Sequence, residues 1–404
     1  MAKVIHAGSA STSSFDEASN HLRVLAEVDV SAKRIGRLVT RIGQERIAEI
    51  EQQSRQYQQL PLPARGHSPV ELTPDLVCVQ VDGGRLQIRD RLASTADAED
   101  SSSTFWRESK VGALIKMQGE VYAEDPCPEI PSVFVDAQRI SRLTGEIKGF
   151  SGDRGERCEN ETTADSVVSD RLLNPDELHA STRPKPLVRS VVASIKPIGE
   201  FSKLLVGQAY QRGFMAANRK AFVCDGMACN WKLQEKHFSR FTPILDFVHA
   251  VCYIYHAAIG GDLSPEAWQR YCRWAQLLWS GTPEKLLQEM EAWQAQIGLP
   301  SENDNDHSPR QLLADAIRYV TNQQSRMKYA DYRRDGLPIT SAYIESTIKQ
   351  VNRRVKGTEK FWSTNADPML QLRADAISET QNLEKFWKRR PANLRTFTHY
   401  NMAG

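Results

Sequence analysis

The sequence predicts an α/β fold, and three of its features carry that prediction. Short runs of β-branched and other apolar residues, typical of buried strands, occur several times before residue 225. Beyond residue 264 the pattern changes to helices with recognisable start and stop residues. Residues 340–356 then form an amphipathic helical pattern with an aliphatic buried stripe. The 404 residues suffice for two or three domains with a large buried core.

The composition is that of a globular protein. Hydrophobic residues make up 40% and charged residues 25%, which excludes collagen-like, mucin-like and wholly disordered chains. The net charge of only +2 by itself argues against a nucleic-acid partner. The charge is unevenly distributed, however, because residues 151–182 hold eight acids and three arginines, whereas residues 183–220 hold eight basic residues and one acid. We expect the acidic segment to be a flexible surface insertion whose charge offsets that of the basic stretch that follows it.

The cysteines and the hydropathy pattern predict a cytoplasmic protein. Seven cysteines are an odd number and include no C-x-x-C pair, which is typical of a reducing compartment. The N-terminus lacks the apolar core of a signal peptide. The least polar stretch, residues 241–261, contains Asp246, His249 and His256 and is a poor membrane span.

Residues 14–57 have the pattern of a helix-turn-helix. Apolar residues recur at helical spacing over 15–26, and a second helix begins after Ser31, a favourable N-cap. This second helix carries Arg34, Arg37 and Arg41 on one face. Two short helices with a basic second helix fit a motif that sets that helix in a DNA groove. An ordinary helical hairpin with a solvated arginine face is the alternative.

After a proline-rich linker at residues 58–75, apolar runs predict the strands of a sheet. The predicted strands are residues 76–81, 86–88, 111–115 and 221–224. The first ends on Asp82, before two glycines, and the last ends on Asp225. Between residues 256 and 330 the pattern is all-helical, with helices that begin near residues 264, 282 and 308. Five of the eight tryptophans lie between residues 231 and 293, at spacing that favours core packing over a ligand cage.

Three acids occupy places from which they can converge. Asp82 and Asp225 lie at strand ends, and Glu345 lies near the start of the last helical pattern. Carboxylates in such places can meet at one edge of a sheet and hold two Mg²⁺ ions about 3.5 to 4 Å apart, as phosphodiester chemistry requires. Taken singly, each acid has a plainer interpretation, the aspartates as turn residues and Glu345 as an ion-pair partner of Lys349. Spacing alone leaves both interpretations open.

Four blocks of the sequence carry a more specific pattern. They are VQVDGGRLQIRD (79–90), WRESKVGALIKM (106–117), RKAFVCDGMACNWKLQEKHFSRFTPILDFVHAVCYIYHAA (219–258) and GLPITSAYIESTIKQVNRRVKGTEKFWS (336–363). In this order, and within a matching region of about residues 15–375, they resemble bacterial insertion-sequence DDE transposases of the ISKra type. That family is similar to the Mutator-like transposases.

The resemblance implies a fold: a ribonuclease-H-like mixed sheet flanked by helices, with an all-α insertion domain and an N-terminal helix-turn-helix. Its catalytic core would comprise residues 76–255 and 331–375. The Trp-rich helices of residues 256–330 would be the insertion, and residues 376–404 a basic tail.

The resemblance also implies a site. Asp82, Asp225 and Glu345 would bind two Mg²⁺ or Mn²⁺ ions. His249 ends a D-x-x-H signature that begins at Asp246, and it would lie near the scissile phosphate or make a structural hydrogen bond. His249, Cys252 and His256 share a helical face and offer three possible zinc ligands. A convincing fourth ligand is missing, so a zinc site is not expected there.

The implied function is that of a DNA transposase, which cleaves DNA at the ends of its element and transfers the 3′-hydroxyls to target DNA. Its partner would be double-stranded DNA in the bacterial nucleoid, bound by a homodimer or higher oligomer. The expected phosphate contacts are Arg34, Arg37, Arg41, Lys349, Arg353, Arg354 and Lys356. A catalytically silent or domesticated DNA-binding remnant and a ribonuclease-H-like nuclease are the alternatives.

Overall fold

The computed structural model describes residues 1–11, 14–89, 106–146, 182–355 and 361–390. Its strands are β1 (Leu76–Arg89), β2 (Trp106–Gln118), β3 (Lys185–Ser194), β4 (Arg219–Cys224), β5 (Thr242–Leu245) and β6 (Phe361–Trp362). Its α-helices are α1 (Ala2–His6), α2 (Phe15–Ala26), α3 (Ala32–Gln59), α4 (Ala137–Glu146), α5 (Ile198–Tyr210), α6 (Ala228–His237), α7 (Phe247–Ile259), α8 (Pro265–Trp279), α9 (Pro283–Ile297), α10 (Pro309–Gln323), α11 (Tyr329–Arg334), α12 (Ala342–Asn352) and α13 (Ser363–Ile377). A further helix covers residues 382–390.

The strands form a mixed sheet, which confirms the predicted α/β class. The strand order is β3-β2-β1-β4-β5, and β6 pairs with the far end of β1. The neighbours β3, β2 and β1 are antiparallel, whereas β4 and β5 run parallel to β1 on its other side. This order and these directions are compatible with a ribonuclease-H-like core.

Strand β1 differs from the prediction. The sequence predicts two short strands separated by Gly83 and Gly84, and this is wrong, because β1 pairs with β2 from Leu76 through Gln87. Asp82 therefore lies within β1 and not at its end. The glycines allow close packing instead of making a turn, since a Cβ on Gly84 would lie 3.0 Å from Ile348 of α12.

The two faces of the β1–β2 hairpin carry different helices. Side chains of a strand alternate between faces, so Gln80, Asp82 and Gly84 share one face. Gly84 contacts α12 on that face. On the opposite face, a Cβ on Gly112 would lie 3.3 Å from Phe201 of α5. Asp82 therefore lies on the α12 side of the sheet.

The N-terminal segment is packed against the rest of the chain. Helices α2 and α3 form where predicted, but the prediction that the second helix is short is wrong. Helix α3 has 28 residues, because its apolar stripe continues to Ile50 and Tyr57. It packs along α5 and α13, and Ser54 Oγ donates to the Lys203 carbonyl of α5 at 2.6 Å. DNA binding by residues 14–57 stays a prediction.

A buried cluster of charges ties α3 to α13. Arg46 of α3 donates to both carboxylate oxygens of Asp375 on α13, at 2.8 and 3.3 Å, and to Glu49 at 2.8 Å. Arg46 and Asp375 are 3% and 2% exposed. A second buried guanidinium, Arg212, lies close by: burial and the charge of Arg46 lower its pKa to about 10, while the charge of Asp375 acts in the opposite direction. Asp375 thus places a negative charge beside both guanidiniums, and Glu49 is a second partner of Arg46.

The segment between α7 and α12 is helical where the sequence predicts it. Each of α8, α9 and α10 begins at a proline, the residue favoured in a first helical turn. Trp231, Trp274 and Trp279 are buried, which confirms their predicted place in the core. The Nε1–H of Trp279 donates to the Cys127 carbonyl at 2.7 Å. The status of this segment as an inserted domain stays a prediction.

Several predicted features lie outside the described residues. They are nearly all of the acidic segment 151–182, the basic residue Lys356 and the tail from residue 391. Of the seven cysteines, six are described, and these are free thiols. No helix in the described ranges is both long and apolar enough to cross a lipid bilayer.

Candidate functional site

Three aspartates lie in one row across the parallel strands. The pairing of β1 with β4 ends at Gln80 opposite Val223. Continued by two residues, past the end of β4 at Cys224, this register would set Asp82 opposite Asp225. The pairing of β4 with β5, continued by one residue, brings Asp246 beside Asp225. Because neighbouring strands are about 4.8 Å apart, such a row would bring three carboxylates close together where β4 and β5 end beside β1.

Asp225 follows β4 directly, as the sequence predicts. Its Oδ1 accepts hydrogen bonds from the Met227 N–H and the Asn230 side-chain amide, both at 3.1 Å. The helical segment also holds this turn, because the Tyr319 hydroxyl on α10 donates to the Asp225 carbonyl at 3.0 Å. The backbone that presents the carboxylate is thus fixed from both α6 and α10.

Glu345 lies in the first turn of α12, as predicted, and faces the aspartate row. Burial raises the pKa of Glu345 to about 7, and the charges of Asp246 and Asp82 act in the same direction. The charges of His249 and Lys349 oppose this increase in pKa. Asp82 and Asp246 therefore lie close enough to Glu345 for their charges to act on its carboxylate.

Asp246 caps α7 and holds two neighbouring residues. Its Oδ2 lies 3.1 Å from His249 Nδ1, and it accepts hydrogen bonds from the N–H of Ser341, at 3.2 Å, and from the Ser341 hydroxyl. Burial favours neutral His249, but the hydrogen bond and charge of Asp246 outweigh burial and raise the pKa of His249 to about 9, with Glu345 and Asp225 contributing. Asp246 therefore favours the protonated form of His249 and acts as its counter-ion. The structural hydrogen bond, one of the two predicted roles of His249, is present.

The donor set fits a hard divalent cation. Asp82, Asp225 and Glu345 offer only carboxylate oxygens, which are the ligands that Mg²⁺ prefers. A different group, Asp246, His249 and Glu345, has potential ligand atoms that all lie within 4.8 Å of one another, as assessed over the described residues. Within that group, the contact of His249 Nδ1 with Asp246 and the raised pKa of His249 favour an ion pair between these two side chains. Glu345 belongs to both sets and links them.

The predicted phosphate contacts differ in accessibility. Arg34, Arg37 and Arg41 are exposed on α3, and Lys349 and Arg353 are exposed at the end of α12. The side chains of all five can therefore reach a nucleic acid, as the prediction requires.

The prediction that Arg354 contacts DNA is wrong. Its side chain is only 1% exposed. The guanidinium lies 4.5 Å from the centre of the Phe15 ring, and Nε donates to the Gly8 carbonyl at 3.4 Å. Helix α12 ends at Asn352, so the helical face assumed for the preceding residues does not continue to Arg354.

Part of the predicted basic tail is engaged in ion pairs. Arg389 Nε donates to Glu49 at 2.8 Å, and Arg390 Nε donates to Glu45 at 2.7 Å. These arginines therefore pack the helix of residues 382–390 against α3, and they contribute less to a DNA-facing surface than the sequence suggests.

Two site residues were missed in the sequence, Gln80 and Ser341. Gln80 is a fully buried amide inside an otherwise apolar strand, and that contrast is a usable signal. Ser341, the N-cap of α12, carries no comparable signal because serine is common at helix starts. The chain matches no protein-family model and no curated protein sequence.

Proposed function

We propose that this protein is a DNA transposase that uses two Mg²⁺ or Mn²⁺ ions to cut DNA at the ends of its element and to join the 3′-hydroxyls to target DNA. Two observations support the proposal: the register of β1 and β4, which continued by two residues would set Asp82 opposite Asp225, and the effect of the Asp82 charge on Glu345. The four sequence blocks that resemble DDE transposases point independently to the same three acids.

In this proposal Asp82, Asp225 and Glu345 hold the ions. When bound, these ions activate the attacking oxygen and stabilise the leaving oxygen of the phosphodiester. The chain fixes the three carboxylates on separate elements, so that each is positioned before DNA arrives. Protonated His249 adds positive charge beside Glu345, where the negative charge of a phosphate increases during the reaction. Asp246 orients His249 and keeps it protonated.

The same proposal assigns roles to the other parts of the chain. The mixed sheet and α12 form a ribonuclease-H-like catalytic core, α8 to α11 form an inserted helical domain, and residues 14–57 bind DNA. Two element ends must be brought together, which favours a homodimer or higher oligomer on double-stranded DNA, acting at the nucleoid.

A strand-joining assay tests this function. Linear duplexes carrying the DNA that flanks the gene on either side are incubated with the protein, Mg²⁺ and a supercoiled plasmid. We expect nicks at discrete positions near the duplex ends, covalent joining to the plasmid, and loss of both products with EDTA. Cleavage of RNA–DNA hybrids without joining would instead identify a ribonuclease-H-like nuclease. Salt-dependent DNA binding without any cleavage would identify a silent DNA-binding protein.

The exposed arginines of α3 should supply part of the DNA affinity. Replacing Arg34, Arg37 and Arg41 together by Gln removes three cations, and each phosphate contact contributes about 0.9 to the slope of log affinity against log salt. We therefore expect weaker binding to any duplex and a slope reduced by about 3. Fluorescence anisotropy between 50 and 200 mM salt measures both.

A matched triple variant controls for the overall loss of charge. Arg273 and Arg318 are also exposed and Arg310 is half-exposed, and the three lie on the helices α8 and α10. Their replacement by Gln changes the net charge equally and should leave the slope nearly unchanged. An equal effect of both triple variants would contradict a specific role for α3.

A further inference from the structure

Gln80 connects the strand that carries Asp82 to the helix that carries Glu345. It is fully buried on β1 and shares a face with Asp82, two residues further along. Its Nε2 donates to the Thr340 carbonyl at 3.0 Å, and its Oε1 accepts from the Ile344 N–H at 3.1 Å. One side chain therefore holds both ends of the segment that begins α12.

The position of these bonds matters more than their number. The first N–H groups of a helix have no partner within the helix, so a side chain that binds one of them also fixes where the helix begins. Ile344 immediately precedes Glu345, and its N–H is shared between Gln80 and the Ser341 carbonyl at 2.9 Å. Movement of this turn along β1 would move the Glu345 carboxylate by the same amount.

A second connection reaches the same turn from the other side of the site. Asp246, at the end of the aspartate row, binds both the N–H and the hydroxyl of Ser341. Residues 340–344 are therefore held by Gln80 from β1 and by Asp246 from the start of α7. Gln80 acts from the strand that carries Asp82, and it has no charge of its own with which to perturb the acids.

We propose that Gln80 is a positioning residue that sets the distance of Glu345 from Asp82 and thereby the affinity of the site for divalent cations. This proposal rests on the proposed function in one respect: it requires that Asp82, Asp225 and Glu345 bind divalent cations. A residue that orients metal ligands from outside typically changes metal affinity 10- to 100-fold when it is replaced. A residue that serves stability alone lowers the melting temperature and leaves the affinity of the folded protein unchanged.

Gln234 provides the matched control. It is also a buried glutamine, and its Nε2 donates to the carbonyls of Phe238 and Phe241 at 3.0 and 3.1 Å. Its bonds join α6 to the loop that follows this helix and reach none of the three acids. Gln80→Met and Gln234→Met each remove a buried amide that makes two hydrogen bonds, and they keep a side chain of similar size.

The test measures Mn²⁺ binding by the full-length protein in the absence of DNA, from the electron paramagnetic resonance signal of free Mn²⁺. We expect Gln80→Met to weaken binding about tenfold and Gln234→Met to change it less than about twofold. The Mg²⁺ concentration for half-maximal strand cleavage should shift in parallel. Equal affinities for the two variants would overturn the positioning role, whereas absence of Mn²⁺ binding by the wild type would overturn the proposed function itself.

A second pair of variants tests the proposal even if Gln80→Met does not fold. Gln80→Asn keeps an amide but is one methylene shorter, so it can bind Thr340 or Ile344 but not both. We expect its Mn²⁺ affinity to lie between those of the wild type and Gln80→Met, or below the wild type if Gln80→Met does not fold. Wild-type affinity in Gln80→Asn, measured beside Gln234→Asn, would overturn the proposal.

Discussion

Replacing Asp82 or Asp225 by Asn, or Glu345 by Gln, should lower the rate of DNA strand cleavage by at least about a thousandfold, which corresponds to about 4 kcal/mol of transition-state stabilisation. Each change keeps the shape of the side chain and removes one negative charge from a site built of carboxylates. The three variants should lose activity to a similar extent, because the residues act as one unit, and combining them should add little. Initial rates on an end-bearing duplex at saturating Mg²⁺ measure the effect.

The same hairpin offers a control for this experiment. Glu108 on β2 lies next to Gly83, on the opposite face from Asp82, and pairs with Lys110 at 2.8 Å. Glu108→Gln removes a carboxylate close to the site in sequence and space but should keep the rate within about threefold of the wild type. Wild-type cleavage by any of the three acid variants would show that the assignment of the site is wrong.

The largest effect on stability is expected from Asp375→Leu. This variant leaves the buried Arg46 guanidinium with Glu49 as its remaining carboxylate partner, and it removes the charge of Asp375 from the neighbourhood of Arg212. Removing one partner of a buried ion pair typically costs about 3–5 kcal/mol, because the remaining charge has lost its solvation without compensation. Arg46 keeps Glu49 at 2.8 Å, but Glu49 is more exposed and binds a different nitrogen. Urea unfolding followed by circular dichroism measures the change in the free energy of unfolding.

Two comparisons separate the effect of the buried charge from that of lost packing. Asp315→Leu removes the acid of an exposed pair, since Arg318 is 71% exposed, and should cost at most about 1 kcal/mol. The double variant Arg46→Met with Asp375→Leu replaces one buried cation as well, and it should be more stable than Asp375→Leu alone. If the double variant is less stable, the cluster acts through packing and the electrostatic explanation is wrong.

The parts of the site that the sequence predicted correctly are those that local pattern controls. Asp225 follows an apolar strand and Glu345 begins an amphipathic helix, and both patterns are visible within about ten residues. Asp82 was predicted at a strand end, and this is wrong, because two glycines usually mark a turn. Here Gly84 allows the close approach of α12, and its contact partner Ile348 lies far away in the sequence.

What could not be predicted depends on long-range pairing. The alignment of Asp82, Asp225 and Asp246 follows from which strands are neighbours and in which register, and no short window of sequence contains that information. The burial of Arg46 has the same origin, since its partner Asp375 lies 329 residues further along the chain. A pattern of charged residues on a helix predicts which side chains are exposed only when the length of the helix and its packing partners are known.

The row of aspartates has a consequence for the evolution of such a site. The backbone sets the spacing of the aspartates, because hydrogen bonds between main chains hold β1, β4 and β5 at their separation. A side-chain substitution changes the charge in the row and leaves its geometry unchanged. A single-residue insertion or deletion within β1 would instead turn Asp82 to the opposite face of the sheet. A descendant of this chain could therefore keep every acid in its sequence and still have lost the site.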